Sequence, residues 1–109
     1  MGAASPLAAA LAAWLAIQGG QAEAWDRQVH LGETLARTHC ARCHAVGRAG
    51  TSPWPDAPPF RELHTRYPVE DLGEALTEGI RTGHPSMPEF RFEPDQADAL
   101  IAYLRSLER

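Results

Sequence analysis

Five consecutive residues, Cys40-Ala41-Arg42-Cys43-His44, carry the clearest chemistry in the chain. Two thiols three positions apart with a histidine directly after them form the attachment pattern of c-type haem. Each thiol can add to one of two vinyl groups of a protoporphyrin, which gives two thioethers. His44 is then held under the iron, where a ring nitrogen can ligate it. Other chemistries of paired cysteines fit less well. A zinc site of the common type needs two more Cys or His ligands at short spacing, and the chain has no other cysteine. A redox CxxC belongs beside a βαβ pattern, which is lacking here. A small disulfide remains open to these thiols if haem never arrives.

A second residue with ligand chemistry lies far along the chain, in Gly83-His84-Pro85-Ser86-Met87-Pro88. Two prolines forbid a helix there. Of the two methionines in the chain, Met87 is the one that does not start it. A flexible core filler is poorly used in a proline-fixed loop, whereas a thioether that must meet iron is well used. His84, three residues earlier, is the rival donor and would give bis-histidine iron at lower potential. His30, His39 and His64 are read as structural or surface residues.

The bounds set by length and charge agree with a small redox protein. One domain at most fits in 109 residues, and the formal charge of −4 argues against a nucleic-acid partner. All ten basic residues are arginine, so a partner that docks on lysines finds none.

Residues 1–24 read as a signal peptide. The apolar run 7–17 is followed by Gln18-Gly19-Gly20, taken as a break, and by Ala22-Glu23-Ala24, a small-x-small cleavage signature. The run is shorter than the ~20 residues of a spanning helix. Cleavage near Ala24 places the mature chain, residues 25–109, in the periplasm. The remaining 85 residues can build only a thin core of their own, which suits folding around a large apolar cofactor.

Three helices are expected in the mature part. The first starts at Asp26 as N-cap, with Leu31 and Leu35 on one face, and leads into the haem motif. Gly32 in its interior costs roughly 1 kcal/mol against alanine, which implies close approach of another helix. Residues 45–59, rich in glycine and proline, form a loop in which Arg48 and Trp54 are candidates for bonding the haem propionates. Phe60 after Pro58-Pro59 is expected to pack on the haem. The second helix starts at Pro68-Val69, carries the stripe Val69, Leu72, Leu76 and Ile80, and stops at Gly83. The third starts at Glu93-Pro94 and buries Ala97, Leu100, Ile101, Leu104 and Leu107. No strand pattern and no internal repeat appears, so the fold class is all-α.

CxxCH after a first helix, a proline before an aromatic, Met87-Pro88 in a loop and the terminal Ile101-Ala102-Tyr103-Leu104 together resemble the small bacterial class I cytochromes c. The resemblance covers essentially all of residues 25–109. It implies a fold in which the N- and C-terminal helices cross and loops wrap one covalently bound haem c. Cys40 and Cys43 would carry the haem, with His44 and Met87 as axial ligands. Gly32 matches the glycine of the helix crossing and Tyr103 the aromatic packed into it. Pro58 matches the proline whose carbonyl accepts the free N–H of the proximal histidine, with Pro59 as the alternative. The implied function is a one-electron carrier, not an enzyme, that meets redox partner proteins through the haem edge as a monomer or as a subunit of a redox complex. It has no small-molecule substrate. The competing readings are a haem enzyme or gas sensor with an open distal site, an electron-transfer subunit of a periplasmic dehydrogenase, and a colourless zinc or disulfide protein.

Overall fold

The computed structural model describes residues 6–79 and 86–108, with side chains described from residue 20 onward. Among the described residues every regular element is helical: α1 (Pro6–His39), two 3₁₀ turns at Phe60–Thr65 and Val69–Asp71, α2 (Leu72–Glu78) and α3 (Pro94–Ser106). Among them no helix is long and apolar enough to cross a membrane.

The first helix is longer than the sequence implies. It runs unbroken for 34 residues, about 51 Å at 1.5 Å per residue. Asp26 is an interior position rather than a cap, and Gln18-Gly19-Gly20 is helical rather than a break. Two glycines cost about 1 kcal/mol each, and the alanine- and leucine-rich flanks are strong enough helix formers to offset that. Residues 20–27 are exposed along their whole length. Gln28 is half-buried, and Val29 packs against the hydrophobic core.

The core sits where α1 crosses α3, the most extensive helix pair among the described residues. Leu35 and Ala36 of α1 meet Ala99, Leu100, Tyr103, Leu104 and Leu107. Gly32 lies at the crossing, and its importance is geometric. A Cβ built there would stand 1.9 Å from the Ala99 carbonyl oxygen and 2.7 Å from Tyr103 Cβ, so only glycine permits this backbone separation. Leu31, expected on the same face as Leu35, is instead 44 % exposed. The contact face runs through Val29, Gly32, Leu35 and Ala36, one residue round the helix from Leu31.

α3 begins as expected. Glu93 is the N-cap, Pro94 occupies the first turn, and the Glu93 N–H donates to Gln96 Oε1 at 3.0 Å. Its buried face includes Ala97, Leu100, Leu104 and Leu107, and adds Ala99, Ala102 and Tyr103, while Ile101 is half-buried. The middle helix departs from expectation. It opens as a 3₁₀ turn at Val69 and ends at Glu78, because Gly79 takes the left-handed conformation (φ 77°) and its N–H donates to Ala75 O at 3.2 Å. That conformation is nearly free for glycine and costly for other residues. Ile80 and the anticipated stop, Gly83, lie outside the described residues. Val69, Leu72 and Leu76 do pack on the core.

Candidate haem site

The haem motif begins where α1 ends. Cys40 N–H donates to Ala36 O at 2.8 Å, and His44 N–H donates to Cys40 O at 3.0 Å. One final turn therefore gathers both thiols and the imidazole. Both cysteines are free and half-buried. Burial, and then the neighbouring Cys43, pushes the Cys40 thiol up to about 11, so it stays protonated at neutral pH.

His44 is oriented by the loop that follows. Its Nδ1 lies 2.7 Å from the carbonyl oxygen of Pro58. A carbonyl can only accept, so Nδ1 is the donor, which leaves Nε2 as the ring nitrogen that could face a metal. Pro59 does not take this role, since its carbonyl accepts the Glu62 N–H at 3.0 Å and starts the 3₁₀ turn. Phe60, which is buried, sets its ring 5.0 Å from that of His44 at a tilt of 49°. The Phe60 N–H donates to Ala45 O at 2.9 Å, so the segment bearing Pro58 and Phe60 is tied back to the residue after His44.

Other bonds fix the intervening loop. Trp54 N–H donates to Cys43 O at 3.1 Å, and buried Ser52 accepts the Ala45 N–H through Oγ at 3.0 Å. Tyr103 Oη donates to Val46 O at 2.6 Å and so joins this loop to the helix crossing. Burial, with Glu33 adding and Arg37 and Arg48 opposing, pushes the Tyr103 phenol up, which keeps it a donor.

Two further sequence candidates are Arg48 and Trp54. The Arg48 guanidinium donates through Nη2 to Ser106 O at 2.7 Å, drawn to the carbonyl end of α3, where cations are favoured. The Trp54 indole is on the surface, 47 % exposed. Met87 is half-buried in the irregular stretch before α3, and His84 lies outside the described residues. His30 and His64 are exposed.

The sequence reading passed over Phe90 and Phe92. Their rings stack 5.3 Å apart, and His39 meets both edge-on, at 6.1 and 5.3 Å. Their spacing of two is the signal that could have found them, since i and i+2 share a face where the chain is extended.

The donor set fits a covalently held haem: two free thiols and an imidazole whose Nδ1 is committed to a carbonyl, all carried on one turn. The cytochrome c family model matches residues 29–108. The chain belongs to the cytochrome c family. Searches of curated proteins and of solved structures returned no match. As a cytochrome c domain, the chain takes covalent haem c with its iron, Cys40 and Cys43 having the spacing that attachment needs, and its chemistry is haem-based electron transfer. The matched span begins at residue 29, where α1 first packs on the core.

Proposed function

We propose that the protein is a one-electron carrier, attached to haem through Cys40 and Cys43, with His44 and Met87 as the axial ligands. The observation that carries this reading is the 2.7 Å contact from His44 Nδ1 to Pro58 O. A histidine bound to metal through one nitrogen characteristically donates its other N–H to a carbonyl or carboxylate, which fixes the tautomer and raises the ring's basicity. The group, when bound, supplies reversible one-electron chemistry between ferrous and ferric iron.

The rest is the work of the chain. Pro58 and Phe60 hold the imidazole plane. A Met87 thioether favours the ferrous state relative to a second imidazole and raises the potential. His44 and Met87 would together hold the metal and keep small molecules off it, and a ligand set that need not change between oxidation states would keep reorganisation small. Partner proteins dock through the haem edge in a small, weak interface of the kind usual for redox encounters.

Export completes the proposal. Residues 1–24 act as a signal peptide and the mature protein works in the periplasm. In support, residues 20–27 are exposed and the family match starts beyond them. Loss of Glu23 with the leader leaves 13 acidic residues against ten arginines, so steering of partners is modest and weakens with salt.

An absorption spectrum of the mature protein, oxidised and reduced, with CO added to the reduced form, tests the reading. Sharp ferrous bands, the weak near-red ferric band of sulfur–iron bonding and no response to CO are expected. A CO-shifted spectrum would overturn it and bring forward an enzyme or sensor with an open distal site.

A further inference from the structure

Immediately after Met87 the chain is gripped from two sides. Phe90 and Phe92, two residues apart in the irregular stretch before α3, bring their rings together, stacked at 5.3 Å with an interplanar angle of 17°. The ring of His39, the last residue of α1, stands edge-on to both, at interplanar angles of 70° and 75°. Edge-to-face contacts of this kind are the favoured geometry for aromatic pairs.

The same stretch is also held by the end of α2. Phe92 N–H donates to Leu76 O at 2.9 Å. Arg91, alternate to the two phenylalanines, lies over Gly79, with its Nε 3.0 Å from the place a glycine Cβ would occupy. Phe90 is three residues from Met87, a span of at most about 10 Å. His39 directly precedes Cys40, so its contacts link the helix end bearing the haem thiols to the stretch bearing Met87.

We infer that His39, packed against Phe90 and Phe92, is a positioning residue that holds the Met87 stretch against the end of α1 and thereby suppresses dissociation of Met87 from the iron. The inference rests on the reading of Met87 as axial ligand. A ligand on a short tether leaves the metal more readily when the anchor of the tether is loosened, because the detached state is then less disfavoured. An exogenous ligand that binds only the detached state reports that population directly, since its apparent affinity scales with the competent fraction.

The test is imidazole titration of the haem-loaded ferric protein, followed by loss of the sulfur–iron band. His39 is exposed, so His39→Ala should fold. It removes two aromatic contacts, and half-saturation should need about tenfold less imidazole. His39→Phe keeps an aromatic edge and should restore the wild-type value. Tyr103→Phe, which weakens the helix crossing instead, should lower thermal stability without changing the titration.

Wild-type behaviour of His39→Ala overturns the inference. So does failure of His39→Phe to rescue, which would assign the effect to the imidazole's polarity, and so does an equal shift in Tyr103→Phe, which would assign it to general loosening. Met87→Ala separates this inference from the reading beneath it. If Met87→Ala leaves the titration unchanged, the ligand assignment falls. If Met87→Ala abolishes the band while His39→Ala behaves as wild type, the positioning role alone falls.

Discussion

Gly32→Ala is the sharpest perturbation of the helix crossing. The added methyl would lie 1.9 Å from Ala99 O, 2.6 Å from Ala99 C and 2.7 Å from Tyr103 Cβ. Two of the three obstacles are backbone atoms of α3, so no rotamer change relieves them. Restoring an ordinary contact of about 3.4 Å to the oxygen needs α1 and α3 to part locally by about 1.5 Å, and a radial gap of 0.5–1 Å already forfeits roughly a quarter to a half of each dispersion well along the opened seam. The movement also strains the 2.6 Å bond from Tyr103 to Val46. Alanine regains about 1 kcal/mol of helix propensity, set against an overpacking cost of about 2–3 kcal/mol, the upper part of the usual range, because the backbone itself must move. A net destabilisation of about 1–2 kcal/mol is expected, read by thermal or denaturant unfolding of the haem-loaded protein. Gly73→Ala is the internal control. Its Cβ would meet only the flexible tip of Ile101, at 3.2 Å, inside α2, so that substitution should be neutral or stabilising by up to about 1 kcal/mol. Wild-type stability of Gly32→Ala, or equal losses at both glycines, would refute the close-approach argument.

Three further outcomes are expected. Tyr103→Phe leaves the buried Val46 carbonyl without its donor and should cost about 1–2 kcal/mol in unfolding free energy; no loss would mean that water replaces the phenol. Met87→Ala should keep the haem attached, lower the midpoint potential and admit CO to the ferrous iron, and an unchanged potential without a CO adduct would reject the ligand assignment. Glu70 is held below the ordinary carboxylate value of 4.5 by a backbone hydrogen bond and then by Arg105. A depressed value contributes stability above pH ~4.5 that fades as the carboxylate takes up its proton on acidification. Glu70→Gln should therefore lower the thermal midpoint slightly at neutral pH, with the difference vanishing in strong acid or in high salt; a difference that persists in acid would show that Glu70 matters through packing instead.

Short-range chemistry was legible in the sequence. The spacing of Cys40, Cys43 and His44 fixes the attachment pattern within a single turn, because a few residues of backbone leave little freedom. The helical period over 94–106 fixed α3 and most of its buried face, and proline at the first helical position marked its start. Gly32 announced a close approach because a helix interior gives glycine no other advantage. Local signals misled where they were weak. Gln18-Gly19-Gly20 reads as a break but cannot interrupt so strong a helix, and Gly79 was passed over as a stop although its left-handed backbone ends α2.

What tertiary structure alone decided are the choices between equivalent neighbours. Pro58 and Pro59 are indistinguishable by type and nearly by position. The fold separates them: the Pro58 carbonyl stands 2.7 Å from His44 Nδ1, while that of Pro59 accepts from Glu62 at the start of the 3₁₀ turn. Arg48 looks like an anion binder in its loop, and only the fold adds that Ser106, 58 positions away, accepts one of its guanidinium donors once α3 docks. His39 shows no partner in its own helix and meets Phe90 and Phe92 only when the stretch before α3 returns to the end of α1. The sequence determines which groups can do the chemistry, since that depends on bonds and spacing along the chain. Which of them is free to do it depends on who else reaches them, and that is settled only by packing.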